Sequence, residues 1–284
     1  MIKAGTIKEI WRYPVKGMAG EQLEQCAVAA SGIEGDRVWA LRDIARQEIQ
    51  SCKFRPELLT CIATSRGEQS DHHVDILFPD GTSLGSDDAA IHRRLSELVG
   101  HGSTLEPLQP IANLDFFRRY KPNEHSWLAE LKDTFTREPG EPFPDFSQLP
   151  QQAKDFVTVP GSFFLVSPFH IVTTATLKHL KNLLPRADWD VRRFRPNIVI
   201  DSVASDEGLV EQGWIGKNLT IADSLIECTD TAPRCGAVTR RQNVLSVDNS
   251  MLRTIVKSAD QNLGIYGSIR LQGTLNVGDS VYVS

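Results

Sequence analysis

Apolar and polar residues alternate in short runs through the first hundred positions, over residues 7–13, 22–28, 37–42 and 73–78. Period-two alternation of this kind predicts half-buried strands. Their regular spacing and the Pro79-Asp80-Gly81 turn predict an antiparallel barrel or sandwich. One helix is predicted over 88–99, with Ser86 or Asp87 as its cap and Ile91, Leu95 and Leu98 on one face. From 118 to 160 the pattern dissolves among Pro122, Pro139, Pro142, Pro144, Pro150 and Pro160. Such a stretch reads as a long loop or domain connection, and one role for a loop of that length is to cover a substrate pocket. Beyond it the pattern predicts a strand over 163–166 and a helix opening at Thr173 with Leu177, Leu180, Leu183 and Leu184 as a core stripe. Strands over 197–201 and 219–228 follow, then a helix capped by Asp248 or Asn249 with Met251, Leu252, Ile255 and Val256 inward and Gly264 near its end. Strands over 266–271 and 281–283, joined by the Asn276-Val277-Gly278-Asp279 turn, finish the chain, and a last strand that closes a barrel removes an exposed edge.

Composition narrows the function classes. With 284 residues, 40% of them hydrophobic, the chain can bury the core of one large or two modest domains. A net charge of -5 argues against a nucleic-acid or membrane-surface binder, which normally carries a basic excess. No apolar run approaches the roughly 20 residues that span a bilayer, and the first residues read as a strand, so a cytoplasmic location is expected. Five cysteines, widely spread and odd in number, fit reduced thiols better than a disulfide framework. With no C-x-x-C pair, neither a structural zinc nor an iron–sulfur centre is encoded, and any electrons must come from another protein.

The chemistry is densest at Glu227-Cys228-Thr229-Asp230-Thr231-Ala232-Pro233-Arg234-Cys235-Gly236, where a strand broken by Pro233 delivers Cys235 directly after Arg234. A cation and backbone N–H groups beside a thiol favour the thiolate, which serves as a nucleophile or a soft metal ligand; the alternative is a structural core cysteine. Asp230, five residues earlier, is placed to relay protons to a substrate, or else to cap a turn. The seven histidines form no metal-ligand pattern, and His72, His73 and His170 read as surface and core residues.

Three segments together, Trp11-Arg12-Tyr13-Pro14-Val15-Lys16-Gly17, Gly32-Ile33-Glu34-Gly35-Asp36-Arg37-Val38-Trp39 and Arg193-Phe194-Arg195-Pro196-Asn197-Ile198-Val199-Ile200-Asp201, with the Arg234-Cys235 pair, resemble the MOSC family. The likeness covers essentially the whole chain and is nearest to the amidoxime-reducing components and their bacterial counterparts. It implies a mainly β (α+β) protein of two barrel-type units: an N-terminal MOSC-type β-barrel over 1–118, a proline-rich connection over 119–160 and a MOSC domain over 161–284. It implies a pyranopterin-dithiolene molybdenum cofactor with Cys235 as the metal ligand. Lys16, Arg37, Arg195, Asn197 and Arg234 would hold the pterin and its phosphate, with Thr173 and Thr174 near the pterin at a helix start. A charged soft donor suits a sulfur-rich metal, and guanidinium forks match phosphate. Gly17, and Pro233 before Arg234, depart from the resemblance, since serine is usual at the first place and common at the second.

The activity so implied is reduction of N-hydroxylated compounds such as amidoximes and hydroxylamines. Electrons would come from a separate redox protein, a ferredoxin, a flavoprotein or a b-type cytochrome system, with a small-molecule substrate and no nucleic-acid or membrane partner. A second reading is a sulfur-carrier or cofactor-handling protein with a persulfide on Cys235. The sulfurases that gave the family its name also carry a pyridoxal phosphate domain, which nothing in this chain resembles. A third reading is a binding module without catalysis.

Overall fold

The strand Ile2–Arg12 is the seam of the fold. It turns Ala4, Ile7 and Ile10 inward and lies antiparallel to Ser280–Val283 on one side and to Ile198–Ser202 on the other. A computed structural model describes residues 1–66 and 72–284. From Ile198–Ser202 the sheet continues through the parallel neighbour Phe169–Thr173 to Asn262–Leu271, Ser224–Pro233 and Asn218–Ile221, which returns to Ser280–Val283. Seven strands thus close a barrel filled by Ile7, Ile10, Ile171, Ile198, Ile200, Leu219, Ile221, Ile226, Ile265 and Val281. The last strand does close it, as the terminal pattern leads one to expect, and its partner across the seam is the first strand.

Three smaller sheets lie outside the barrel's closed ring of strands. Trp39–Asp43 pairs with Ser103–Pro107 and Glu48–Ile49, and Val74–Leu77 lies between Ile62–Ser65 and Ser83–Gly85. Gln25–Ala29 pairs with Gly32–Ile33 and with Gly273–Asn276, which ties the N-terminal half to the end of the chain. A second core of Val15, Met18, Leu41, Leu58, Cys61, Ala63, Ile76, Phe78, Ile91 and Leu95 holds this half together. A third joins the helices Thr174–Leu183 and Ser250–Ser258 through Leu180, Met251, Leu252, Ile255 and Trp189. The protein is mainly β, with five α-helices among the described residues.

Several local expectations are corrected. No strand forms over 163–166; Phe163 is buried and its carbonyl accepts from Lys16, and the strand starts only after Pro168, which has no N–H to give to a ladder. The run 219–228 is a hairpin rather than one strand. Ala222 takes a left-handed φ of 47°, and the buried positions switch from odd (Leu219, Ile221) to even (Ser224, Ile226, Cys228) across the turn. The first helix begins at Ile91, because Asp88 accepts from the Ala90 N–H in a turn of its own, while Ser86 accepts from Val74 N–H and Asp87 pairs with Arg66. Leu183 is half exposed rather than part of the core stripe. Gly264 lies inside the strand Asn262–Leu271 rather than at a helix end. The connecting stretch holds two short helices, Trp127–Asp133 and Gln151–Asp155.

Gly264 shows why that position resists a side chain. Its φ is +80°, and a Cβ there would lie 2.5 Å from His170 Nε2 and 2.6 Å from the Ile171 carbonyl oxygen. Gly100, at φ +77°, has open space around it. Gly100→Ala should therefore cost about 1 kcal/mol from conformation alone, and Gly264→Ala at least about 2 kcal/mol more, read as a shift in the urea midpoint.

Candidate active site

The segment that leaves the first strand is stitched to the one that carries Arg37. Tyr13 N–H donates to Asp36 Oδ1 at 2.7 Å, Arg37 N–H to the Tyr13 carbonyl at 2.9 Å, and Lys16 N–H to the Trp39 carbonyl at 2.8 Å. The second Asp36 oxygen accepts from Arg37 Nη1 and, at 3.0 Å, from Asn197 Nδ2. Asn197 is itself fixed, since its N–H donates to the His170 carbonyl at 2.7 Å and its Nδ2 also reaches the Trp11 carbonyl at 3.2 Å. One buried carboxylate therefore joins the first strand, the Arg37 turn and the start of Ile198–Ser202.

Cations gather above this junction. The Arg37 and Arg195 guanidinium carbons stand 5.1 Å and 4.3 Å from the Tyr13 ring centroid, and Tyr13 Oη donates to the Pro196 carbonyl at 2.9 Å. Both arginines have left-handed backbones, φ 52° and 56°, a conformation that costs about 1–2 kcal/mol for a residue with a Cβ and that clusters at functional sites. Arg195 Nη1 donates to the Met18 carbonyl, and Lys16 Nζ donates to the Phe163 carbonyl at 2.7 Å. Burial, followed by the repulsion of Arg37, lowers the Lys16 ammonium to about 7.

Cys235 follows the end of Ser224–Pro233 and precedes the tight turn Gly236–Thr239; it is partly exposed. Arg234 reaches back, donating from Nη2 to the Phe194 carbonyl at 2.7 Å and standing 3.5 Å by Nη1 from His170 Nε2. Arg234 Nε is buried with no protein partner. The connecting stretch holds this turn from outside: the Thr134 carbonyl accepts from Gly236 N–H at 2.8 Å, and Arg137 Nη2 donates to Gln261 Oε1 at 2.9 Å and to the Arg234 carbonyl at 3.4 Å.

The structure thus brings Lys16, Arg37, Arg195, Asn197, Arg234 and Cys235 to one place. Asp230 lies at its rim: exposed, it accepts from Thr231 N–H at 2.7 Å and sits opposite Tyr266 in the sheet. Thr173 and Thr174 are not brought there. Thr173 is fully buried as the cap of Thr174–Leu183, accepting from Thr176 N–H and donating to Glu211 Oε2 at 2.7 Å. Thr174, the first residue of the helix, binds Asp201 and Ser202, and Thr173 lies about 10 Å along the strand from His170 at 3.3 Å per residue. Cys228 faces the barrel core, where burial pushes its thiol up to about 12.

Sequence reasoning passed over Asp36, Tyr13, His170, Tyr266 and Cys52. Asp36 and Tyr13 stand inside the quoted motifs, so adjacency was the available signal. His170 read correctly as a buried residue, but its contact with Arg234 needs the fold. Tyr266, whose phenol burial pushes up against the pull of Arg234, and Cys52, whose thiol burial pushes up against the pull of Arg195, sit in the field of Cys235 with no local pattern to mark them.

Residues 4–99 match the MOSC N-terminal beta barrel domain, and residues 160–282 match the MOSC domain. The chain belongs to the MOSC-domain family, in the two-part form with an N-terminal MOSC-type barrel. Human mitochondrial amidoxime-reducing component 1 is 24% identical over 315 aligned positions, spanning 99% of this chain and 83% of that protein. Among solved structures, the YUAD protein from Bacillus subtilis aligns over 98% of this chain and 94% of its own at 10% identity and a TM-score of 0.43. YiiM from Geobacillus stearothermophilus aligns over 42% and 54% at 9% identity and a TM-score of 0.32. No helix among the described residues is long and apolar enough to cross a membrane.

His170 makes the site sensitive to acid. Burial, then Arg234, lowers its imidazole to about 3, so between pH 6.5 and about 3 the unfolded chain holds a proton that the folded one lacks. The stability it allows is complete above pH 6.5 and is lost as pH falls through that window. The melting temperature of His170→Gln should fall less than that of the wild type between pH 7 and 5, measured by thermal scans at each pH.

Proposed function

We propose that this protein is a molybdenum-cofactor oxidoreductase that reduces N-hydroxylated compounds with electrons from a separate redox protein. The observation that carries the reading is the gathering of a partly exposed thiol, Cys235, with Lys16, Arg195, Arg234 and Arg37, the last held by the buried Asp36 carboxylate. The donor set fits the group. A thiolate is the soft, charged ligand a sulfur-rich metal takes, guanidiniums match a phosphate, and the unpartnered Arg234 Nε is a buried donor lacking an acceptor. Membership in the MOSC family and the similarity to an amidoxime-reducing component support the same direction.

Cys235 would hold the metal, with Lys16, Arg37, Arg195, Asn197 and Arg234 holding the pterin and its phosphate. The bound cofactor supplies the two-electron chemistry that cleaves an N–O bond. The chain's own residues do the positioning. Asp36 orients Arg37 and Asn197, the Tyr13 ring supports two guanidiniums, and the Thr134 and Arg137 contacts fix the turn that aims the Cys235 thiol. Arginine holds its charge throughout, so protons for the departing oxygen must come from groups that can release them, with Asp230 at the solvent rim as the entry point.

In protein from a cofactor-competent host, near-stoichiometric molybdenum and oxidised-pterin fluorescence are expected, with metal content falling at least tenfold in Cys235→Ser and benzamidoxime reduction by a chemical donor lost with it. Neither metal nor pterin in the wild type would overturn the reading and favour a persulfide on Cys235. Lys16 adds a pH signature. An anion beside it stabilises the ammonium, so above pH 7 binding must take up a proton. Affinity for inorganic phosphate should drop by up to about tenfold from pH 7 to 8, and Lys16→Met should flatten that slope in calorimetric titrations.

A further inference from the structure

Nearly every arginine among the described residues is engaged by a carboxylate, a carbonyl or an aromatic face. Arg186, Arg240 and Arg241 are the exceptions: each is exposed, and its guanidinium makes no hydrogen bond, ion pair or ring contact among the described residues. The three stand on two loops, 185–190 and 240–249. Arg193, with its side chain fully buried, joins these loops, donating from Nε to the Asp188 carbonyl at 3.1 Å and from Nη2 to the Ser246 carbonyl at 2.8 Å. Two carbonyls that share one planar guanidinium lie close together, so the loops run side by side.

The second loop is held in shape. Gln242 is buried and donates from Nε2 to the Arg193 and Ala237 carbonyls, each at 3.4 Å, while Gln242 and Leu245 exchange backbone hydrogen bonds at 3.0 and 2.7 Å around a tip formed by Asn243 and Val244. That frame displays Val244 and Val247, which are 74% and 60% exposed. The nearby acids are already engaged. Asp190 pairs with Arg192, Asp188 stands 3.6 Å from Arg193, and Asp248 accepts from the Ser250 N–H and hydroxyl. Three positive charges and two valines therefore face water on a chain whose net charge is -5. Guanidiniums beside apolar side chains are the composition of a protein contact, and a loop already fixed has little order left to lose on binding.

The loop also grows out of the Cys235 turn. Val238 N–H donates to the Cys235 carbonyl at 3.3 Å, Arg240 N–H to the Ala237 carbonyl at 3.3 Å, and Arg240 is five residues beyond Cys235. Even along extended backbone that is at most about 18 Å.

We propose that the joined loops are the docking surface for a small acidic electron-carrier protein, with Arg186, Arg240 and Arg241 meeting its carboxylates and Val244 and Val247 covered by the contact. Each encounter passes one electron and leaves the carrier oxidised. Two encounters supply the pair that, with two protons, replaces an N–OH bond by N–H and releases water. Charge pairs at an exposed contact speed and orient association more than they tighten it, which suits a carrier that must leave after each electron. The docking rests on the unpaired charges and the exposed valines; the delivery of electrons to Cys235 rests on the proposed function.

The test uses the full chain loaded with its cofactor, and a reduced, acidic [2Fe–2S] ferredoxin as the probe. Arg240→Glu combined with Arg241→Glu should raise the KM for ferredoxin by about tenfold or more, and Arg186→Glu or Val244→Asp by about threefold, with dithionite-driven reduction of benzamidoxime unchanged in all of them. Raising salt from about 20 mM to about 200 mM should weaken the wild type and leave the double variant nearly unaffected. A ferredoxin KM unmoved by the double substitution, dithionite turnover lost along with it, or a wild type that works with dithionite and not with ferredoxin would overturn the proposal. So would a dimer of the protein alone that the double substitution dissolves, because the patch then belongs to a second copy. A wild type inactive with both donors rejects the reading of the site instead. Calorimetry then decides the docking: ferredoxin binding that the double variant weakens by about tenfold sustains it, and no binding ends it.

Discussion

The site depends on one buried carboxylate. Asp36 accepts from the Tyr13 N–H, from Arg37 and from Asn197, three groups more than twenty residues apart or at opposite ends of the chain. Its side chain has no exposure to water, so its charge is stable there only because a guanidinium and two neutral donors meet it. Taking away one partner of such a pair typically costs about 3–5 kcal/mol, since the remaining charge is left uncompensated. The same carboxylate offsets part of the repulsion among Lys16, Arg37, Arg195 and Arg234. Without it these gathered cations would oppose the fold that gathers them.

Much of this was legible before the fold was known, because it lies in short local patterns. The Arg234-Cys235 pair, the Tyr13-to-Lys16 stretch and Arg195-Pro196-Asn197 each keep their chemistry within a few residues. What sequence could not show depends on neighbours distant in the chain. Period-two alternation located 219–228 but not its hairpin, because a two-residue turn shifts the buried phase without interrupting the apolar rhythm. Thr173 carries the right residue type at a helix start, yet its hydroxyl is engaged by Glu211, thirty-eight residues on. Nothing in the spacing of either residue announces that partner.

Gly17 and Cys52 make a single local fact. At φ +89°, and with an added Cβ 3.0 Å from the Cys52 nitrogen, position 17 would hold the serine usual in the amidoxime-reducing components only under strain. A hydroxyl is missing from one wall, and a sulfur stands against the same place. Position 17 and position 52 are packed against each other, so a change at either is felt at the other, as a close-packed wall requires.

The seam of the barrel also has a consequence in time. Among the described residues Ile2–Arg12 pairs with Ile198–Ser202, with Ser280–Val283 and at its end with Glu21–Leu23, so most of its hydrogen bonds wait on segments synthesised far later. Contacts of such long sequence separation form slowly, after the loop-closure entropy has been met. Tyr13 and Lys16 leave that strand, while Asn197 and Cys235 come from the distant half, so the pocket's two walls meet only at barrel closure. A nascent chain on the ribosome has the motifs but no site, and whatever the pocket binds must arrive after translation has passed the last strand.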